Sequence, residues 1–170
     1  PEPMKALVPL DGSENSHRIF LTVRRLLAMQ PAIEVHLVTV HDPHATRGRT
    51  DHAVSEAPAQ VIGRMSVSAP MPRLVESHGE AMERRSIESR AELSDLARNE
   101  IPAASFVTHV AWSEHTAEAI NELAEQIDAD VIVMATHGRS GLSHLLAGSV
   151  TEGVIRHARR PVLVQGPGAQ

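Results

Sequence analysis

Asp128-Ala129-Asp130-Val131-Ile132-Val133-Met134-Ala135-Thr136-His137-Gly138-Arg139 is the stretch on which the reading of this chain turns. Val131 to Met134 are aliphatic without interruption, so they cannot alternate between a wet and a dry face. They read as a strand covered on both sides, in the middle of a parallel sheet. Asp128-Ala129-Asp130 closes a helix over roughly Thr116 to Ile127, whose Ile120, Leu123, Ala124 and Ile127 recur at i, i+3, i+4 and i+7. Beyond the strand a glycine-bearing loop runs from Ala135 to Gly148, and a helix follows through Val150, Val154, Ile155 and Ala158. Helix, buried strand, loop and helix in succession point to an α/β protein built around a parallel sheet.

Toward the N terminus the alternation recurs. Met4 to Leu10 is a strand candidate, and Asp11-Gly12-Ser13 is a turn in which Ser13 can cap a helix whose Ile19, Phe20, Val23, Leu26 and Leu27 share one face. Pro31 ends that helix, and Val35 to Val40 reads as a second strand closed by Asp42-Pro43. Residues 44 to 75 carry Gly48, Pro58, Gly63, Pro70 and Pro72 without sustained periodicity. They read as a long excursion of the kind that serves as a lid or mobile segment, with a short helix near Gln60 to Met65. Helix resumes over Glu76 to Asn99 and Pro102 breaks it; Ser105 to Trp112 is a third strand and Pro161 to Val164 a last short one. The expectation is a single domain over residues 1–170, with five strands, four connections and a frayed tail over 166–170.

Composition excludes several classes of function. Of the 170 residues 42% are hydrophobic and 22% charged, which supports a buried core. Phe20, Phe106 and Trp112 are the only aromatics, and 16 Lys+Arg against 21 Asp+Glu leave a net charge of −5. That balance provides neither stacking platforms nor a basic field over the whole molecule, so no nucleic-acid partner is expected. The absence of Cys removes disulfides, zinc-thiolate sites and thiol nucleophiles. The longest apolar run, Val131 to Ala135, falls far short of the ~20 residues of a membrane span. Pro1, Pro3, Pro9, Asp11 and Glu14 interrupt any apolar signal segment in the first part of the chain. No membrane partner is expected, and the expected location is the cytoplasm.

In open parallel sheets, ligands bind beyond the carboxyl ends of the strands. Two such loops are unusual here: Pro9-Leu10-Asp11-Gly12-Ser13 after the first strand, and Ala135 to Gly141 after the fourth, leading to Gly148-Ser149-Val150-Thr151 at a helix start. A helix N-terminus offers unpaired N–H groups and about half a positive charge to a phosphate. Gly138 and Gly148 would let the backbone approach that phosphate closely, and the hydroxyls of Ser149 and Thr151 can add donors. Asp11 can accept from ribose hydroxyls or hold Mg²⁺. Between Ala135 and Gln165, Arg139, Arg156, Arg159 and Arg160 stand against one acid, Glu152, a local excess that suits an anion.

A glycine loop before a helix is also common in proteins that bind nothing there, and neither Gly-x4-Gly-Lys-Ser/Thr nor Gly-x-Gly-x-x-Gly occurs. What is particular is Gly138, nine residues, then Gly148-Ser149, behind a strand ending at Met134 with Thr136-His137 between. That spacing closely resembles the nucleotide loop of the universal stress protein family. The resemblance extends to Lys5-Ala6-Leu7-Val8-Pro9-Leu10-Asp11-Gly12-Ser13, to Asp128 through Met134, and to Gly148-Ser149-Val150-Thr151-Glu152 through Pro161-Val162-Leu163-Val164. Residues 44–75 lie outside it.

The resemblance implies a Rossmann-like, adenine nucleotide alpha hydrolase-like fold: an open five-stranded parallel sheet of order 3-2-1-4-5 with helices on both faces. It implies ATP or AMP as ligand, with adenine near Pro9, Asp11 and Val40 and the phosphates on Gly138, Gly148, Ser149 and Val150. It also implies a homodimer through the last strand, Pro161 to Val164. The candidate nucleotide-binding set is Pro9, Asp11, Ser13, Val40, Met134, Ala135, His137, Gly138, Arg139, Gly148, Ser149, Val150 and Thr151, with Asp11 as the candidate Mg²⁺ ligand. One departure stands out, because the first glycine of the ATP-binding pattern Gly-x2-Gly-x9-Gly-Ser/Thr falls on Ala135. Alanine would weaken binding if a positive φ were required there, or if adenosine packed where its methyl stands. With a negative φ the methyl can be tolerated.

Catalysis has less support. The chain has 11 His, of which His36, His41, His44 and His52 lie in or beside the excursion. No His-Glu-x-x-His spacing appears, so they read as scattered surface histidines. His137 is either a phosphate donor or a strand-end cap, and Arg139 either a phosphate contact or a solvated charge. Ser13 lacks a Gly-x-Ser-x-Gly elbow and reads as a helix cap rather than a nucleophile. Slow ATP hydrolysis is open to a site with Mg²⁺ on Asp11, but no dedicated general base is visible. The reading is a stress-response sensor or regulator that binds adenine nucleotide. Its alternative is a dimeric interaction module of the same family with a pocket weakened by Ala135. A metabolic enzyme of the same architecture would need a catalytic constellation that this sequence lacks.

Overall fold

Five aliphatic runs form strands that pair in parallel throughout: β1 (Lys5–Pro9), β2 (Glu34–His41), β3 (Ser105–Trp112), β4 (Val131–Ala135) and β5 (Val162–Gln165). Their order is β3-β2-β1-β4-β5, as the resemblance implied. The computed structural model describes residues 2–46, 76–136 and 148–166. Most of the expected excursion, its short helix near Gln60 to Met65, the loop residues His137, Gly138 and Arg139, and the tail beyond Gly166 lie outside the described residues.

The helices are α1 (Glu14–His17), α2 (Ile19–Met29), α3 (His78–Glu100), α4 (Thr116–Gln126) and α5 (Ser149–His157). Successive strand residues face opposite sides of the sheet, and this divides the core in two. Ala6, Val8, Val35, Leu37 and Val133 pack with Phe20 and Val23 of α2 and with Leu93 and Ala97 of α3. Leu7, Val38, Ile132 and Met134 pack with Ile120 and Ala124 of α4 and Val154 of α5. The sheet is thus covered on both faces, which explains why its central strands read as unbroken aliphatic runs.

Local chemistry sets the element ends. Ser77 and Glu80 form a reciprocal capping box at the start of α3, the Ser77 hydroxyl accepting from the Glu80 N–H at 3.2 Å and the Glu80 carboxylate from the Ser77 N–H at 2.8 Å. These bonds hold the Glu80 carboxyl below its usual range. At the end of α4, Ala129 N–H donates to Ala124 C=O at 2.8 Å and Asp128 N–H to Glu125 C=O at 3.2 Å, while Asp128 takes φ +56°. This is a Schellman closure with Asp where Gly is usual. Asp130 then aligns β4 with β1, its carboxylate accepting from Lys5 N–H at 2.7 Å and its own N–H donating to Lys5 C=O at 2.9 Å.

Two expectations change. The helix after Ser13 is not continuous, because α1 and α2 meet at Arg18, where the ladder tightens to an i+3 bond from Leu21 N–H to Arg18 C=O. His36 is not a surface histidine: it is 6% exposed, its Nε2 lies 2.7 Å from Glu34 Oε1, and its Nδ1 lies 2.8 Å from His109 Nε2. It stands on β2, an interior strand, and both ring nitrogens are satisfied there.

Candidate nucleotide site

The chain winds from β1 outward to β2 and β3, then returns past β1 to β4 and β5, so the winding direction reverses between β1 and β4. At the carboxyl ends of these strands lies a cleft of about 270 Å³. The topology demands it, because the connections leaving two adjacent strands turn to opposite faces and part there.

Each wall has its own origin. The loop after β1 contributes Pro9, Leu10 and Asp11, with Ser16 behind them. Gly12 bends this loop with φ +78°, a region that favours glycine. The turn brings Ser13 back onto Asp11, whose Oδ1 accepts from the Ser13 N–H at 2.9 Å and from its hydroxyl at 2.6 Å. Ser13 Oγ in turn accepts from Ser16 N–H at 3.2 Å. Ser13 therefore caps α1 and braces Asp11, and it is not among the residues lining the cleft.

Val38, Val40, Ile120 and Met134 form an aliphatic slot, with Thr116 at its edge. β2 outruns β1: the register ends at Pro9 opposite Val38, and Leu10 N–H closes onto Val38 C=O at 2.8 Å. In a parallel ladder alternate residues turn their peptide groups to the same neighbour. Val40 therefore directs its N–H and C=O past the end of β1 into the cleft, while His41 turns to β3, its C=O accepting from Ser113 N–H at 2.9 Å.

The third wall is the start of α5. Gly148 is its N-cap, and the first bond of the helix runs from Glu152 N–H to Gly148 C=O at 2.9 Å. The N–H groups of Ser149, Val150 and Thr151 precede that bond and have no helical acceptor. All three residues line the cleft. Gly148 has φ −65°, so it is not glycine for conformational freedom. A Cβ there would stand 3.2 Å from the Thr136 carbonyl oxygen, the atom to which Gly148 N–H donates at 2.8 Å. A side chain there would crowd the end of β4, against which α5 begins. Thr151 differs from expectation too: its hydroxyl donates to Ala135 C=O at 3.1 Å, so that proton is committed within the protein.

Ala135 is not among the residues with positive φ. By alternation along β4, Met134 faces the slot while the Ala135 methyl packs with the α2-side core. The methyl that replaces the pattern's glycine is thus directed away from the slot.

Pro9, Asp11, Val40, Met134, Ala135, Gly148, Ser149, Val150 and Thr151 therefore converge on one cleft, together with Leu10, Ser16, Val38, Thr116 and Ile120, which sequence reasoning did not single out. Val38 could have been found from Val40, two residues away on the same face. Thr116 and Ile120 carry no motif, and only the packing of α4 against the sheet brings them here. Among the described residues no group of three or more His, Asp or Glu is placed to hold a metal ion. Among the described residues Asp11 is the one carboxylate lining the cleft, and its Oδ1 already accepts twice from Ser13.

These features define a doubly wound α/β protein with a cleft at the switch point, where such folds hold their ligands. The model of the Universal stress protein family matches residues 3–165, and the chain belongs to that family. Universal stress protein MJ0577 of Methanocaldococcus jannaschii is 47% identical over 47 residues, which are 28% of this chain and 29% of that protein. Universal stress protein G of Salmonella typhimurium is 44% identical over 57 residues, 34% of this chain and 39% of that one. The matched segments thus span less than half of these relatives' own lengths. The solved structure of MJ0577 aligns with a TM-score of 0.66 at 24% identity, covering 96% of both chains. A universal stress protein in complex with cAMP aligns at 0.59 with 19% identity over 98% of both chains. One from Archaeoglobus fulgidus in complex with dAMP aligns at 0.53 with 18% identity, covering 96% of this chain and 98% of that one. At such identities the likeness is one of fold. Among the described residues no helix is long and apolar enough to cross a membrane.

Proposed function

We propose that the cleft binds an adenine nucleotide, ATP or AMP, and that the protein acts in the cytoplasm as a sensor or regulator of the stress response. The observation that carries this reading is the convergence of two unlike ends in one cleft: the N–H groups of Ser149, Val150 and Thr151 at a helix start, and an aliphatic slot edged by the peptide group of Val40. The first end suits phosphate by dipole and by hydrogen bonding. The slot takes a flat base between aliphatic side chains, and the Val40 N–H and C=O match the acceptor and donor side by side on the adenine edge. Asp11, braced by Ser13, is the group we assign to the ribose hydroxyls. The complexes of two solved relatives with cAMP and dAMP support the ligand class. We further propose a homodimer through β5, a sheet-edge strand whose Leu163 is 38% exposed.

Isothermal titration with Mg²⁺-ATP, AMP and GTP tests the reading. Binding of ATP with a matching rise in Tm and weaker binding of GTP supports it, and weaker binding of AMP adds a contribution from the outer phosphates. Neither heat nor a thermal shift with saturating ATP would replace it with the dimeric interaction module. Against that alternative stands the direction of the Ala135 methyl, which leaves the slot open.

A further inference from the structure

Away from the nucleotide cleft, Glu34, His36 and His109 form a continuous chain of polar contacts between the two outermost strands on one side of the sheet. His36 Nε2 lies 2.7 Å from Glu34 Oε1 and His36 Nδ1 lies 2.8 Å from His109 Nε2, the two rings near-parallel at 14°. His109 stands on β3, an edge strand, offset by two residues from His36 on the same face because its Cα partner is Val38. It lines a second cavity of about 390 Å³, between the β3 edge and α4. We infer that this triad is a proton-uptake site that latches the edge strand β3 to β2 and releases it on acidification.

Proton counting supports the assignment. An ionised Glu34 can only accept, so a neutral His36 donates from Nε2 and accepts at Nδ1. His109 must then donate from Nε2, which leaves its Nδ1 unprotonated. The two nitrogens of an imidazole point in widely divergent directions. With Nε2 turned to His36, Nδ1 points away from that ring, and His109 lines the cavity at the sheet edge. One proton added there is accommodated without loss of a contact, because His36 can become the double donor, to Glu34 and to His109. A second proton cannot be: both rings would then present N–H groups to each other across 2.8 Å, and the bond between the strands is lost.

The surroundings set the threshold. Burial, the neighbouring His36 and Arg90 of α3 all disfavour charge on His109. Glu122 of α4 lines the same cavity, and Lys5 of β1 is the register partner of Glu34. β3 has a ladder on one side only, so removing a side-chain bond to β2 weakens its single attachment to the sheet.

Two measurements on the full chain test the inference. Nitrogen-15 NMR of the histidine rings at about pH 8 should show His109 protonated at Nε2 and bare at Nδ1, with coupling to His36 Nδ1 across the hydrogen bond. Hydrogen exchange should show the β3 amides that bond to β2 losing about tenfold in protection relative to β1 amides between about pH 8 and pH 5. In His36→Phe the relative loss should vanish. A proton on His109 Nδ1 at the higher pH would overturn the proposal. So would an unchanged β3 to β1 ratio in the wild-type chain, or a loss that persists in His36→Phe and so originates elsewhere, for instance at His41.

Discussion

The hydroxyl of Thr151 donates to the carbonyl of Ala135 across 3.1 Å, joining the first turn of α5 to the last residue of β4. Thr151 is 4% exposed, and the bond holds the start of α5 against the sheet at the point where its free N–H groups face the cleft. Thr151→Val keeps the shape and removes the donor. It should destabilise by about 1–3 kcal/mol through the unsatisfied carbonyl, whereas Thr151→Ser should stay near wild type. Urea unfolding measures the first effect; ATP titration should show weaker binding for Val only.

Ala135→Gly should leave nucleotide affinity unchanged to within about 0.5 kcal/mol, since the methyl packs with the α2-side core and not in the slot. The same change should cost about 0.5–1 kcal/mol of stability from backbone entropy in a strand. A large gain in ATP affinity on titration would contradict this placement.

α4 and α5 pack through their smallest side chains. A Cβ on Gly153 would come within 2.8 Å of the Ala117 Cβ. Gly153→Ala gains about 1 kcal/mol of helix propensity, but overpacking costs about 1–3 kcal/mol. The single variant should be less stable, and adding Ala117→Gly should recover part of the loss. Thermal unfolding of the two singles and the double closes that cycle.

His41 and His109 both have pKa values lowered from 6.5 in the folded chain, in each case chiefly by burial. Arg85 adds to the effect on His41, with Glu92 opposing; His36 and Arg90 add to it on His109. The unfolded chain therefore binds more protons in the window below 6.5. The contribution of these groups is fully present above the unfolded value and is lost as pH falls through the lower folded values. Unfolding free energy measured at several pH values should decline on acidification, and His41→Gln should make the decline shallower. His41 Nε2 lies 2.7 Å from the Ser89 hydroxyl, a contact an amide can keep.

Much of the fold was legible because its cues are local. Val131–Ala135 reads as a buried strand from five consecutive residues, and Asp128-Ala129-Asp130 closes α4 through a Schellman turn made by its own neighbours. Asp11-Gly12-Ser13 likewise signalled its turn, since Gly12 supplies the positive φ within the motif itself. The cleft was legible where motif residues line it, at Asp11 and at Gly148 to Thr151. It was not legible at Thr116 and Ile120, whose spacing is that of any core-facing helix.

By itself the sequence determined the α/β alternation, the central buried strands, the glycine turn beside Asp11 and the membership that its motifs suggested. Those properties depend on neighbours in the chain, and hydrophobic periodicity and turn chemistry record them directly. Only the tertiary structure decided that the Ala135 methyl faces away from the slot, that Gly148 makes room for the Thr136 carbonyl, and that His36 is buried against His109. Each depends on strand register or helix docking between segments distant in the chain, and a shift of one residue in β3 would send His109 to the other face of the sheet.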